Sequence, residues 1–119
     1  MDNHYRAYKV RKPISIQSLV TVHYFEFAPS FTEQFEQHDF WELVYIDKGE
    51  ILIKTNSDAV ALQQGNMYLH KPEELHMLQG INSKSANVLI VSFVYEGEHL
   101  NCLSGHKIAV KEDLLHYLY

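Results

Sequence analysis

The chain has 119 residues, of which 46% are hydrophobic and 21% charged, with a formal net charge of -5; this is the make-up of one globular domain, large enough for a single core and too short for two. The acidic balance, with Lys9, Arg11 and Lys12 as the densest basic group, excludes nucleic-acid binding by this segment alone, because holding phosphate takes clustered Lys and Arg. The longest apolar run, Val88 to Tyr95, falls far short of the roughly 20 residues that cross a bilayer. The N-terminus carries charge but no secretory apolar stretch, so the expected location is the cytoplasm. A lone cysteine, Cys102, makes no internal disulfide and removes Cys-based zinc motifs; it is expected to pack as a small hydrophobe.

In chain order, residues 1–15 are polar and aromatic and read as an arm or a frayed terminus. Strand-like segments follow at Ile16 to Phe27, Trp41 to Asp47, Glu50 to Lys54, Val60 to Leu62, Asn66 to His70, His76 to Leu78 and Val88 to Tyr95. They are separated by turn-forming stretches: Lys48-Gly49, Thr55 to Asp58, Gln64 to Asn66, Lys71 to Glu74 and Gly80 to Ser83. Short strands rich in Val, Ile, Tyr and Phe at this spacing predict an all-β sandwich or barrel over residues 16–96. Residues 97–119 change character: from Lys111, Leu114, Leu115 and Leu118 share one stripe after an acidic first turn, which predicts the start of a helix. No capping residue stops it, so the natural polypeptide is expected to continue beyond Tyr119.

The chemistry concentrates around His38 and Glu42. If this stretch is a strand, His38, Phe40, Glu42, Val44 and Ile46 share one face, which places two polar groups among large apolar ones. That is either the polar wall of a pocket or the start of a metal site. As a metal site, His38, Glu42 and His76, with Glu36 beside them, would offer nitrogen and oxygen to Fe, Mn, Ni or Zn. As a wall, the same groups are hydrogen-bonded and orient a ligand. A buried carboxylate beside histidine also suits acid–base work, but no nucleophile elbow, phosphate loop or dinucleotide fingerprint is present, and catalysis is not expected. The other histidines of the eight read as surface or core side chains; His23 and His70 have no carboxylate at a ligand interval, and His70, with Tyr68, is a candidate pocket-wall group if that parity of the 66–70 strand faces inward. Trp41, Tyr45 and Phe93 are expected in the core.

From His38 the spacing (three residues, Glu42, six residues, Gly49) resembles the first signature of the cupin superfamily, with Glu36 where its other histidine stands. Gly65, Pro72 and His76 resemble the second, with Glu74 in place of its usual glycine and Gly80 in place of its usual asparagine. The wording of His38 to Gly49, of Leu62 to Pro72 and of Glu74-Leu75-His76 is similar to the N-terminal sensory domain of AraC-type transcription regulators, over roughly residues 16 to 96. The resemblance implies a cupin-type double-stranded β-helix, or jelly-roll barrel, that binds a small-molecule effector and forms a homodimer. It implies DNA binding only through a C-terminal region not in this chain, reached by a helical linker that would begin near Lys111. The expected ligand-binding residues are His38, Phe40, Glu42 and His76, with Tyr24 and Tyr68; no cofactor, catalytic residue or membrane partner is expected. The alternatives are a metal-dependent cupin enzyme, a small dioxygenase or isomerase, and a stand-alone small-molecule-binding cupin.

Overall fold

The computed structural model describes residues 18–81 and 84–110. The expected arm (1–15) and the helix expected from Lys111 lie outside them. The described residues form seven strands in chain order: β1 (Ser18–Phe27), β2 (Trp41–Thr55), β3 (Ala59–Gln63), β4 (Asn66–His70), β5 (His76–Gly80), β6 (Ala86–Val94) and β7 (Lys107–Ala109). A short 3-10 turn at Asn101–Leu103 precedes β7. All pairings among them are antiparallel, and the architecture is the expected all-β jelly-roll barrel.

β2 organises the barrel. Its first half lies between β6 and β4 in a sheet ordered β1-β6-β2-β4-β7, and its second half lies between β3 and β5 in the opposing layer. The sequence reading of Lys48-Gly49 as a turn between two strands is corrected here: the strand runs on, with a register shift between Ile46 and Lys48 where it bends from one layer to the other. Gly49 has φ +81, and a Cβ there would stand 2.0 Å from the Ser85 carbonyl oxygen, so the bend brings two backbones too close for a side chain. Genuine turns close the hairpins on either side of β3. In the first, the Thr55 hydroxyl accepts from the Ser57 and Asp58 amides; in the second, Asn66 Oδ1 accepts from the Gln63 amide.

The period of two along the strands sorts side chains into two clusters. Phe27, Val44, Ile46, Ile51, Ile53, Leu62, Tyr68, Leu78, Ala86, Val88 and Ile90 fill the barrel interior. Trp41, Leu69, Phe93, Tyr95 and Leu100 pack on the outer face of the larger sheet. Trp41, Tyr45 and Phe93 are buried as expected. Cys102, expected to be packed, is exposed, because it falls in the 3-10 turn rather than on a strand face.

Candidate functional site

One end of the barrel interior is polar. Glu42 enters it from the first inward position of β2, paired across with Ser92 of β6 and with His70 of β4. His38 and Phe40 precede the strand yet face the same space, their rings stacked at 4.1 Å. His76 opens β5 and is 1% exposed.

Hydrogen bonding fixes how these groups face each other. A backbone carbonyl only accepts, so the His38 Nδ1 near the Phe40 oxygen (3.2 Å) and the His76 Nδ1 near the Glu74 oxygen (2.7 Å) both carry protons. Each Nε2 is thereby turned inward, 3.2 Å and 3.3 Å from the two oxygens of Glu42. The His76 contact has ion-pair distance without hydrogen-bond alignment, and its buried Nε2 has no hydrogen-bond partner among the described residues. Two neutral imidazoles would aim lone pairs at a carboxylate, so a proton or another cation belongs between them.

The electrostatics agree. Burial alone would raise the Glu42 carboxyl, but the close contact with the His76 ring and the electrostatic influence of His76, His70 and His38 outweigh it and hold the group below the usual carboxylate value. Burial alone would lower His76, but its close contact with the Glu42 carboxylate and its bond to the Glu74 carbonyl leave it raised. His70 stacks on His76 with ring centroids 4.1 Å apart. Burial lowers His70 despite its 2.7 Å contact with Glu74, so the two stacked rings are shifted in opposite directions.

The donor chemistry also fits a divalent metal. His38, Glu42 and His76 each offer a ligand atom, all within 4.8 Å of one another, with both Nδ1–H groups tied to carbonyls in the way that orients metal-bound imidazoles. Glu36, the fourth ligand of the metal reading, is exposed and stands outside this cluster.

Beside the cluster lies a pocket of about 240 Å³ lined by Thr21, His23, Phe25, Glu33, Glu36, His38, Phe40, Glu42, Ile90 and Ser92. Of the expected ligand-binding residues, His38, Phe40 and Glu42 line it and His76 backs it. Tyr24 does not: it pairs with Leu89 on the outer sheet face and donates to Asp47, while its neighbours His23 and Phe25 point inward. Tyr68 faces inward but belongs to the sealed interior, 1% exposed, its ring 4.8 Å from that of His70.

His70, a candidate wall group with no expected carboxylate partner, gains one: the turn after β4 returns Glu74 to it. One participant escaped the sequence reading altogether. Glu33 comes from an irregular segment that runs along β5, and its Oε1 accepts from the Leu78 amide at 3.0 Å. Burial, then Glu36, pushes its carboxyl up to about 7.

A family model described as the AraC-like ligand binding domain matches residues 21–95. No curated protein sequence matches the chain. Among solved structures, a cupin superfamily protein from Desulfitobacterium hafniense is 18% identical with a TM-score of 0.57, the alignment covering 61% of this chain and 65% of that one. A predicted oxalate decarboxylase from Thermotoga maritima is 16% identical with a TM-score of 0.61, covering 79% and 75%. A cupin 2 conserved barrel domain protein from Rhodopseudomonas palustris is 18% identical with a TM-score of 0.57, covering 82% and 61%. The chain thus spans just under two thirds of the Desulfitobacterium and Rhodopseudomonas proteins, and at these identities the likeness is one of fold. With more than half its length matched and a cupin barrel around the polar pocket, the chain belongs to the AraC-like ligand-binding domain family.

Proposed function

We propose that this domain is the effector-sensing and dimerisation part of an AraC-type transcription regulator of the cytoplasm, and not an enzyme. The observation that carries the reading is the pocket itself. Apolar walls from Phe25, Phe40 and Ile90 meet a few convergent polar groups within a domain matched to a ligand-binding family, the composition of a small-molecule container. Among the described residues no helix is long and apolar enough to cross a membrane. Effector binding would favour one arrangement of the domain over another, and two copies would pass this to DNA-binding regions outside the chain. A screen by thermal shift, followed by hydrogen exchange and sedimentation with each hit, tests it. Effector-dependent protection or dimer affinity is expected; a verified ligand that changes neither would refute the signalling role.

The metal-dependent cupin enzyme is the second reading, favoured by the inward Nε2 atoms of His38 and His76 around Glu42. A divalent ion held by these three residues would supply Lewis-acid chemistry to a molecule in the pocket. The residues themselves would orient that molecule, with Phe40 stacked behind His38. Elemental analysis decides between the readings: near-stoichiometric Fe, Mn, Ni or Zn that is lost in His76→Ala favours the enzyme.

A further inference from the structure

The pocket has an unusual balance of hydrogen-bonding groups. Three carboxylates, Glu33, Glu36 and Glu42, contribute to its lining, and no Lys or Arg does so among the described residues. Glu42 already has two histidines, but Glu33 is served by one backbone amide and Glu36 stands nearby at the exposed rim. The space thus gathers three carboxyl groups with no Lys or Arg to balance them, its remaining polar lining being Thr21, His23, His38 and Ser92. Its other walls are the rings of Phe25 and Phe40, whose electron-rich faces attract cations.

We infer that the effector is a small organic cation, an ammonium or guanidinium on a short apolar body, whose charged head lies between Glu33 and Glu36 and whose body lies along Phe25, Phe40 and Ile90. This rests on the effector-binding reading above. A head with several N–H groups satisfies acceptors that water serves less well in a half-closed site, and charge-assisted bonds to carboxylates are among the stronger contacts available. Size limits the class further. About 240 Å³ is below the roughly 300 Å³ at which pockets for drug-sized ligands begin, so the body is a few carbons long.

The test is calorimetric titration of the chelator-treated full chain with three probes of equal length: 1,4-diaminobutane, 1,4-butanediol and succinate. The diamine, and 4-guanidinobutylamine in a fourth titration, should bind; the diol should bind at least about tenfold more weakly and succinate not measurably. Glu33→Gln and Glu36→Gln should each weaken the diamine about tenfold, with thermal unfolding showing that both variants fold. Binding of succinate or the diol as tight as that of the diamine overturns the cation assignment and leaves the effector reading standing. If none of the four probes binds but a neutral or anionic compound from the thermal-shift screen does, the assignment likewise falls. If no organic compound binds and Mn²⁺ or Zn²⁺ binds stoichiometrically, both fall in favour of the metal reading.

Discussion

A carboxylate that stays charged while only 9% exposed needs partners that are themselves held in place, and Glu42 has two rings pinned by backbone carbonyls. The turn that supplies one of those carbonyls contains Glu73, a non-glycine residue at φ +67. Its amide donates to the His38 carbonyl at 2.7 Å, and its own carbonyl accepts from the Gln37 side chain, so the strained turn ties the His38 segment to the His76 segment. The left-handed region costs a side chain about 1 kcal/mol. Glu73→Gly should therefore stabilise the domain by about 0.5 to 1 kcal/mol with both hydrogen bonds retained, read as a higher denaturant midpoint at an unchanged slope; an equal or lower midpoint would show that the turn is unstrained. Legibility at this scale followed chemistry and spacing. His38, Glu42 and His76 stood out because residue type and interval both carried information. Tyr24 misled because nothing local told which parity of β1 faces inward. Glu33 was invisible because its segment has no period, and its carboxyl acquires a role only through burial against β5.

Strand types and most strand bounds followed from alternation and turn residues: Asn66–His70 is a strand over the bounds read from sequence, with Tyr68 and His70 inward and Met67 and Leu69 on the other face. β2 was not legible as one element, since a Lys-Gly pair between two apolar runs looks the same at a turn and at a bend. The difference lies in the partner strands: β6 pairs through the bend with Lys48 opposite Asn87 and Gly49 opposite Ala86. The bend lets one strand serve both layers, and so sets Glu42, at one end, over the interior that Ile51 and Ile53 fill from the other. Gly49→Ala should break this arrangement. The added methyl would have to displace the Ser85 carbonyl from 2.0 Å, at a φ that alanine rarely adopts. A loss of about 2 to 4 kcal/mol in chemical denaturation is expected; a loss under about 0.5 kcal/mol would mean that the corner relaxes freely.

The barrel concentrates acidic side chains at one end of an already acidic chain, and the cost appears in its pH dependence. Glu33, raised to about 7 from an ordinary 4.5, is the group most affected. A carboxyl raised on folding contributes stability that is complete below its unfolded value and is lost as pH rises through its folded value, because the native state must then hold a charge that it disfavours. Here that window runs from about 4.5 to about 7. Glu33→Gln stays neutral throughout and keeps an oxygen for the Leu78 amide. Its melting temperature should match that of the wild type near pH 4.5 and exceed it by about 2 to 5 °C at pH 8, a modest difference because the side chain is partly solvated. His70, lowered by burial, and His76, raised by Glu42 against burial, titrate in both proteins and largely cancel in the comparison. Calorimetric scans at half-unit pH steps would trace the two curves. Curves that separate toward alkaline pH support a carboxyl strained by its neighbours and ready for a cationic ligand; parallel curves would mean that Glu33 ionises in the folded domain as it does in the unfolded chain, with no strain for a cation to relieve.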